Sequence, residues 1–200
     1  MTYWLLRYMM IAFLSFYNRL SIEGSENLDK KKQYIFAANH LSFLDLPILI
    51  AAIKKPIIVP FKSNFFNRFI EGSLSHLVNG VPVKNGTMCK ESLQVIIKNV
   101  KEGKSLLIAP EGKISRNGKL QEFRDGSSFI AFKTGIPVVP VAIINADKAL
   151  PLKKILPRPY KIKVKIGKPI ITDFSDVNKE RVKEYTELIR KEILILLNRG

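Results

Sequence analysis

The chain has 200 residues, enough for one domain with a sizeable core. Its 33 Lys and Arg against 17 Asp and Glu leave a net charge of +16, which calls for a polyanionic partner, either nucleic acid or an anionic membrane surface. One cysteine, Cys89, excludes an internal disulfide framework, and one Cys with two His excludes a structural zinc site, so no metal is expected.

Residues 3–17, YWLLRYMMIAFLSFY, are apolar apart from Arg7 and Ser15. The run falls short of the roughly 20 apolar residues of a spanning helix, and no small-residue cleavage site follows it. Its flanking aromatics, Tyr3, Trp4, Phe16 and Tyr17, suit the headgroup level of a bilayer. The expectation is a membrane-interface helix within residues 1–20, ahead of a domain over residues 21–200. A helix packed on the domain's own core fits the same residues.

Beyond it, short β-type runs alternate with helical segments. Strands are expected at 34–39 (YIFAAN), 56–60 (PIIVP), 80–84 (GVPVK), 105–110 (SLLIAP) and 137–144 (PVVPVAII). Helices are expected at 43–53, near 63–78, at 88–100 and at 123–133. The alternation predicts an α/β fold, a single-domain layered sheet flanked by helices. No repeat, low-complexity tract or long linker interrupts it.

From Lys148 to Thr172 there are eight basic residues and no acidic one. Within this segment residues 160–166 alternate, with Lys161, Lys163 and Lys165 on one face and Ile162, Val164 and Ile166 on the other. Lysines blunt edge strands, so an edge strand is expected; a lipid-facing patch is compatible with it. Residues 178–198 form an amphipathic helix with Val182, Tyr185, Ile189, Ile193 and Leu196 along one side.

Several motif matches fail. Gly103-Lys104-Ser105 ends like a phosphate-binding P-loop, but Lys98 stands where a glycine is required and a strand follows. No G-x-S-x-G elbow is present, Asn85-Gly86-Thr87 is a glycosylation sequon by pattern only, and no nucleic-acid module stands out. His76 has no acidic neighbour and reads as a surface or packing residue.

Residues 39–49, NHLSFLDLPIL, place His40 on a strand-to-helix turn at the sheet's edge, where ligand and catalytic groups gather in α/β proteins. Ser42 and Asp45 also have capping spacing, with Asp45 favouring the helix dipole. If the helix starts at Ser42, His40 lies outside it and folds back, so Asp45 accepts one ring N–H while the other nitrogen faces a substrate as a general base. On this stretch alone, catalysis and capping fit equally. Residues 108–126, IAPEGKISRNGKLQEFRDG, then send a glycine-bearing basic loop from a strand's end, as an anionic ligand requires.

Together these stretches resemble the glycerolipid acyltransferase family, which includes 1-acylglycerol-3-phosphate acyltransferases. The family's N-H-x-S-x-x-D appears as Asn39, His40, Ser42 and Asp45. Its P-E-G-T-R-S and G-x-L-x-x-F-[KR]-x-G runs are matched by Pro110, Glu111, Gly112 and Ser115, then Gly118, Leu120, Phe123, Arg124 and Gly126. Residues 135–141 (GIPVVPV) and 166–170 (IGKPI) match the family's later G-x-P-V-V-P-V and I-G-x-P-I. The resemblance spans roughly 33–171, and the ordered set is far more specific than the histidine box alone.

The resemblance implies that His40 deprotonates an acceptor hydroxyl while Asp45 holds the imidazole. The alkoxide then attacks a fatty-acyl thioester on CoA or acyl carrier protein, with no covalent enzyme intermediate and no cofactor. Substrate contacts are expected from Asn39, Ser42, Glu111, Gly112 and Ser115, with Lys62, Lys84, Lys113, Arg116 and Arg124 as cationic candidates. The expected partners are a lysophospholipid acceptor, most simply 1-acyl-sn-glycerol-3-phosphate, the thioester donor and an anionic membrane surface, not nucleic acid. The place expected is the membrane's cytoplasmic face. Two departures bear on the acceptor: Lys113-Ile114 replaces the family's Thr-Arg, whose arginine is associated with the acceptor phosphate, and only Lys84 follows the strand where an intermediate block ends in arginine. The alternatives are the same chemistry on another lysolipid, or a non-enzymatic basic membrane-peripheral binding protein on this scaffold.

Overall fold

Strands with apolar side chains on both faces must be covered on both, and this requirement sets the architecture. The computed structural model describes residues 2–62, 80–83, 88–175 and 177–198. In chain order the elements are α1 (Thr2–Tyr17), β1 (Ser21–Glu23), a 3₁₀ turn (Ser25–Asn27), β2 (Ile35–Ala38), α2 (Asp45–Ala52), β3 (Ile57–Lys62), β4 (Gly80–Val83) and α3 (Lys90–Lys101). They continue with β5 (Ser105–Ile108), α4 (Gly126–Thr134), β6 (Val138–Ile144), α5 (Ala146–Ala149), β7 (Lys163–Ile166) and α6 (Lys179–Asn198). The helix expected near 63–78, with His76, and the sequon at Asn85 lie outside the described residues.

Among the described residues the strands form one seven-stranded sheet, ordered β1-β7-β6-β2-β5-β3-β4. Every pairing is parallel except β6 with β7. The period-2 alternation of β2 splits its side chains between two cores. Phe36 and Ala38 join Leu14 of α1 and Ile48, Leu49 and Ala52 of α2 on one face. Ile35 and Ala37 join Ile96 of α3, Ile130 of α4 and Ile189 of α6 on the other. The result is the expected layered α/β sheet flanked by helices.

The structure corrects two expectations. The strand carrying the lysine ladder is not an edge: β1, too short to announce itself in the sequence, pairs beside it with Ser21 opposite Lys163 and Glu23 opposite Lys165. Lys163 accordingly meets Glu23 at 3.2 Å, and Lys165 is buried, lining a cavity of about 640 Å³ with Glu23, Asn27 and Glu192. The helix after β2 also begins later than expected, at Asp45, so Ser42 lies ahead of the helix.

Helix α1 has two unlike faces. Leu14 is buried, and Arg7, also buried, donates to the Ala51 carbonyl at 3.0 Å, satisfying the end of α2. Leu5, Tyr8, Met9, Phe13 and Phe16 point outward, exposed. Among the described residues no helix is long and apolar enough to cross a membrane.

Candidate active site

The turn after β2 is built from hydrogen bonds that leave little freedom at His40. Asn39 is buried and its amide takes over the ladder to β6, donating to the Ile143 carbonyl at 2.9 Å and accepting from the Ile143 N–H at 2.7 Å. One residue on, His40 Nδ1 lies 2.7 Å from Asp45 Oδ2. The same oxygen accepts the N–H groups of Leu41, at 2.7 Å, and Ser42, at 2.9 Å. Three donors converge on one carboxylate oxygen at the first turn of α2, where the helix dipole also favours negative charge. The other oxygen, Oδ1, is buried with no hydrogen-bond partner among the described residues. Ser42 donates its hydroxyl to the Leu150 carbonyl at 2.7 Å and accepts the Leu44 N–H at 3.2 Å. Asn39 and Ser42, read from sequence as substrate contacts, are thus engaged with β6 and the segment after α5, and they position the turn.

The second loop arrives because β5 lies parallel to β2. Glu111 is 3% exposed, and its carboxylate accepts the His40 N–H at 2.8 Å and the Gln121 N–H at 3.0 Å. Burial pushes the Glu111 carboxyl above its ordinary value, while those two N–H bonds and the nearby His40 pull it back and Asp45 adds to the rise. Ser115, buried, donates its N–H to the His40 carbonyl at 2.8 Å and its hydroxyl to the Lys119 carbonyl at 2.7 Å. His40 is thereby held on both its backbone groups by the loop after β5.

Around this frame lie the cations. Gly112 adopts φ +68°, and a Cβ there would sit 3.1 Å from the Arg124 Cζ, so the glycine lets that guanidinium lie against the loop backbone. Arg116 is exposed and lines a cavity of about 310 Å³ with Leu41, Ser115, Asp147, Pro151 and Leu152. Lys113 is exposed and Ile114 half-buried beside it. Lys62 ends β3 with its side chain outside what is described, and Lys84 lies outside the described residues. Leu150, Pro151, Leu152 and Gln121 also reach the site, and no local signal in the sequence marks them, because the tertiary fold alone brings them there.

A surface-accessible histidine, its Nδ1 bound to a buried carboxylate at the carboxyl end of a central parallel strand, with a cationic loop alongside, defines a class of α/β protein whose site has the groups for general acid–base chemistry. A family model described as Acyltransferase matches residues 19–144, and the chain belongs to that family. It is 32% identical over 175 residues to the 1-acyl-sn-glycerol-3-phosphate acyltransferase of Cocos nucifera, covering 86% of this chain and 56% of the relative. The enzyme of the same name from Borreliella burgdorferi is 30% identical over 132 residues, 64% of this chain and 52% of the relative. The crystal structure of the 1-acyl-sn-glycerophosphate (LPA) acyltransferase PlsC from Thermotoga maritima superposes with a TM-score of 0.74 at 25% identity, covering 97% of this chain and 82% of that one. The chain spans about half the length of the curated relatives it matches.

Proposed function

We propose that the protein transfers a fatty acyl group from a thioester, acyl-CoA or acyl carrier protein, to the hydroxyl of a lysophospholipid, most simply 1-acyl-sn-glycerol-3-phosphate. The observation that carries this reading is the 2.7 Å contact between His40 Nδ1 and Asp45 Oδ2. With Nδ1–H given to the carboxylate, the lone pair of the ring resides on Nε2, on a side chain 30% exposed. Nε2 takes the acceptor's hydroxyl proton as the oxygen attacks the thioester carbonyl. Collapse of the tetrahedral intermediate forms the ester and expels the thiolate, which recovers the proton from the imidazolium. Asp45 keeps the productive tautomer and stabilises the imidazolium. No cofactor enters this scheme.

Arg116 and Lys113 are exposed cations beside the site for the acceptor's phosphate, with Arg124 against the same loop, although lysine lacks arginine's bidentate fork. Helix α1, with its exposed apolar face, and the basic surface hold the protein on the cytoplasmic face of an anionic membrane, where the acceptor resides. The names of the relatives support lysophosphatidic acid as acceptor. Ile114, in the place of the family's arginine, favours a second reading in which the same chemistry acts on another lysolipid.

Thiol release from acyl-CoA or acyl carrier protein, with and without lysolipid, tests the proposal. His40→Ala should abolish acceptor-dependent release and leave liposome binding intact. Unchanged turnover in that variant overturns the mechanism. A panel of acceptors assayed with both donors separates the two readings of the acceptor.

A further inference from the structure

After α5 the chain leaves the sheet in a loop, residues 151–160, whose tip is apolar and whose base is tightly tied. Ile155 is 93% exposed and Leu156 79%. An adjacent pair this large, this open to water and borne on a loop is a poor use of apolar residues in a surface that meets only solvent. The tip is not loose. The Arg158 N–H bonds the Ala149 carbonyl at 2.7 Å and closes the loop, and the Lys154 N–H bonds the Pro151 carbonyl at 2.8 Å within it. The base is also tied to the end of α1: the Tyr17 hydroxyl donates to the Pro157 carbonyl at 3.1 Å, and the Asn18 amide to the carbonyls of Arg158, at 2.8 Å, and Tyr160, at 3.1 Å. The neighbouring Phe16 of α1 is 92% exposed.

Charge identifies the occupant. From Lys148 to Lys161 the chain carries Lys148, Lys153, Lys154, Arg158 and Lys161 and no acidic residue. Exposed apolar side chains flanked along the chain by lysine and arginine match an anionic bilayer, with apolar side chains entering below the headgroups and the cations meeting them. We infer that the 151–160 loop is a second membrane-inserting element, acting with the outer face of α1 on an anionic phospholipid surface. The inference rests on the acyl-transfer reading of the His40 site and adds where the acceptor enters. Leu150 is bonded to Ser42, two residues from His40, and Pro151 and Leu152 line the cavity that holds Arg116. Seating the tip in the bilayer therefore puts that cavity's wall at the membrane surface, so that an acceptor reaches it without leaving the lipid phase.

A tryptophan at the tip reports insertion directly. Trp4 is the chain's only tryptophan, so Trp4→Phe with Leu156→Trp gives a single emitter. With vesicles of phosphatidylcholine and phosphatidylglycerol brominated on their acyl chains, its emission should shift to the blue and be quenched. Co-sedimentation with unquenched, aqueous emission overturns the inference, as does failure of the wild-type protein to bind these vesicles. Ile155→Ser with Leu156→Ser, both outside the core, should lower thiol release about tenfold with long-chain acceptor embedded in vesicles. Release with a water-soluble short-chain acceptor should stay unchanged. Equal losses on both acceptors overturn the inference. No turnover of either acceptor by the wild type overturns the acyl-transfer reading instead, while quenching of the tip tryptophan still upholds insertion.

Discussion

His40 and Glu111 lie 71 residues apart and are joined by one hydrogen bond, the His40 N–H donating to Glu111 Oε1 at 2.8 Å. The offset is the register of the sheet: Phe36 pairs with Leu107 and Ala37 with Ile108 in the parallel β2–β5 ladder, also 71 apart. Continued three residues past the Ala37–Ile108 pair, that register puts the histidine turn and the glutamate loop side by side. The catalytic candidate is thus oriented from two directions, its ring by Asp45 and its backbone by Glu111.

Asp45→Asn tests the first of these directions. An Asn oxygen in the place of Oδ2 can still accept the Leu41 and Ser42 N–H groups and the Nδ1–H, but it carries no negative charge to stabilise the imidazolium, and its NH2 is buried where Oδ1 has no partner. Steady-state thiol release should show turnover falling about 10²–10⁴-fold with little change in acceptor KM. A large KM rise with unchanged turnover would assign Asp45 to acceptor binding.

Glu111→Gln tests the second. The Glu111 carboxyl is held above its ordinary value, chiefly by burial, so the folded state keeps its proton more tightly than the unfolded state. The contribution of neutral Glu111 is full below the ordinary carboxylate range and is lost as pH rises through the raised folded value. Chemical denaturation across that window should show the wild type losing this contribution with rising pH, and the Gln variant lacking that component. Parallel pH profiles would refute the assignment.

Two glycine substitutions should part stability from site geometry. Gly24→Ala combines φ +81° with a Cβ that would collide with the Ile166 carbonyl oxygen, just after β1, a strand three removed from β2. It should cost about 2 kcal/mol or more of stability and leave the acceptor KM of the folded fraction unchanged. Gly112→Ala should cost about 1 kcal/mol for its φ of +68° and also displace the Arg124 guanidinium, raising acceptor KM several-fold. Melting curves and kinetics on both variants decide.

Arg116→Ala and Lys113→Ala address phosphate recognition. The variant that removes the phosphate contact should raise KM for a phosphate-bearing lysolipid about tenfold, and less for a phosphate-free one, since a hydrogen bond to a charged group contributes roughly 1.5–3 kcal/mol. Equal effects on both acceptors would assign these side chains to the loop's structure.

Much of the sheet was legible beforehand. Runs such as VVPVAII and SLLI are apolar on both faces, and both lie buried as β6 and β5. The three-and-four spacing of Val182, Tyr185, Ile189 and Ile193 is likewise the buried face of α6. The five-residue gap between His40 and Asp45 admitted their contact, provided the histidine stood outside the helix. The helix in fact starts at Asp45 itself, because three donors, two from the preceding backbone and one from the imidazole, turn the chain around the carboxylate before it coils.

Hydropathy period and motif order are properties of neighbouring residues, and the chain alone determined them: the α/β class, the order of the longer elements and the candidate residues. Which strands become neighbours depends on crossovers and on backbone pairing over long separations, which carry no local pattern. Only the tertiary structure therefore decided that Glu111 bonds the His40 backbone, that three residues of β1 put the lysine strand inside the sheet, and that the base of the loop bearing Ile155 and Leu156 is tied to the end of α1.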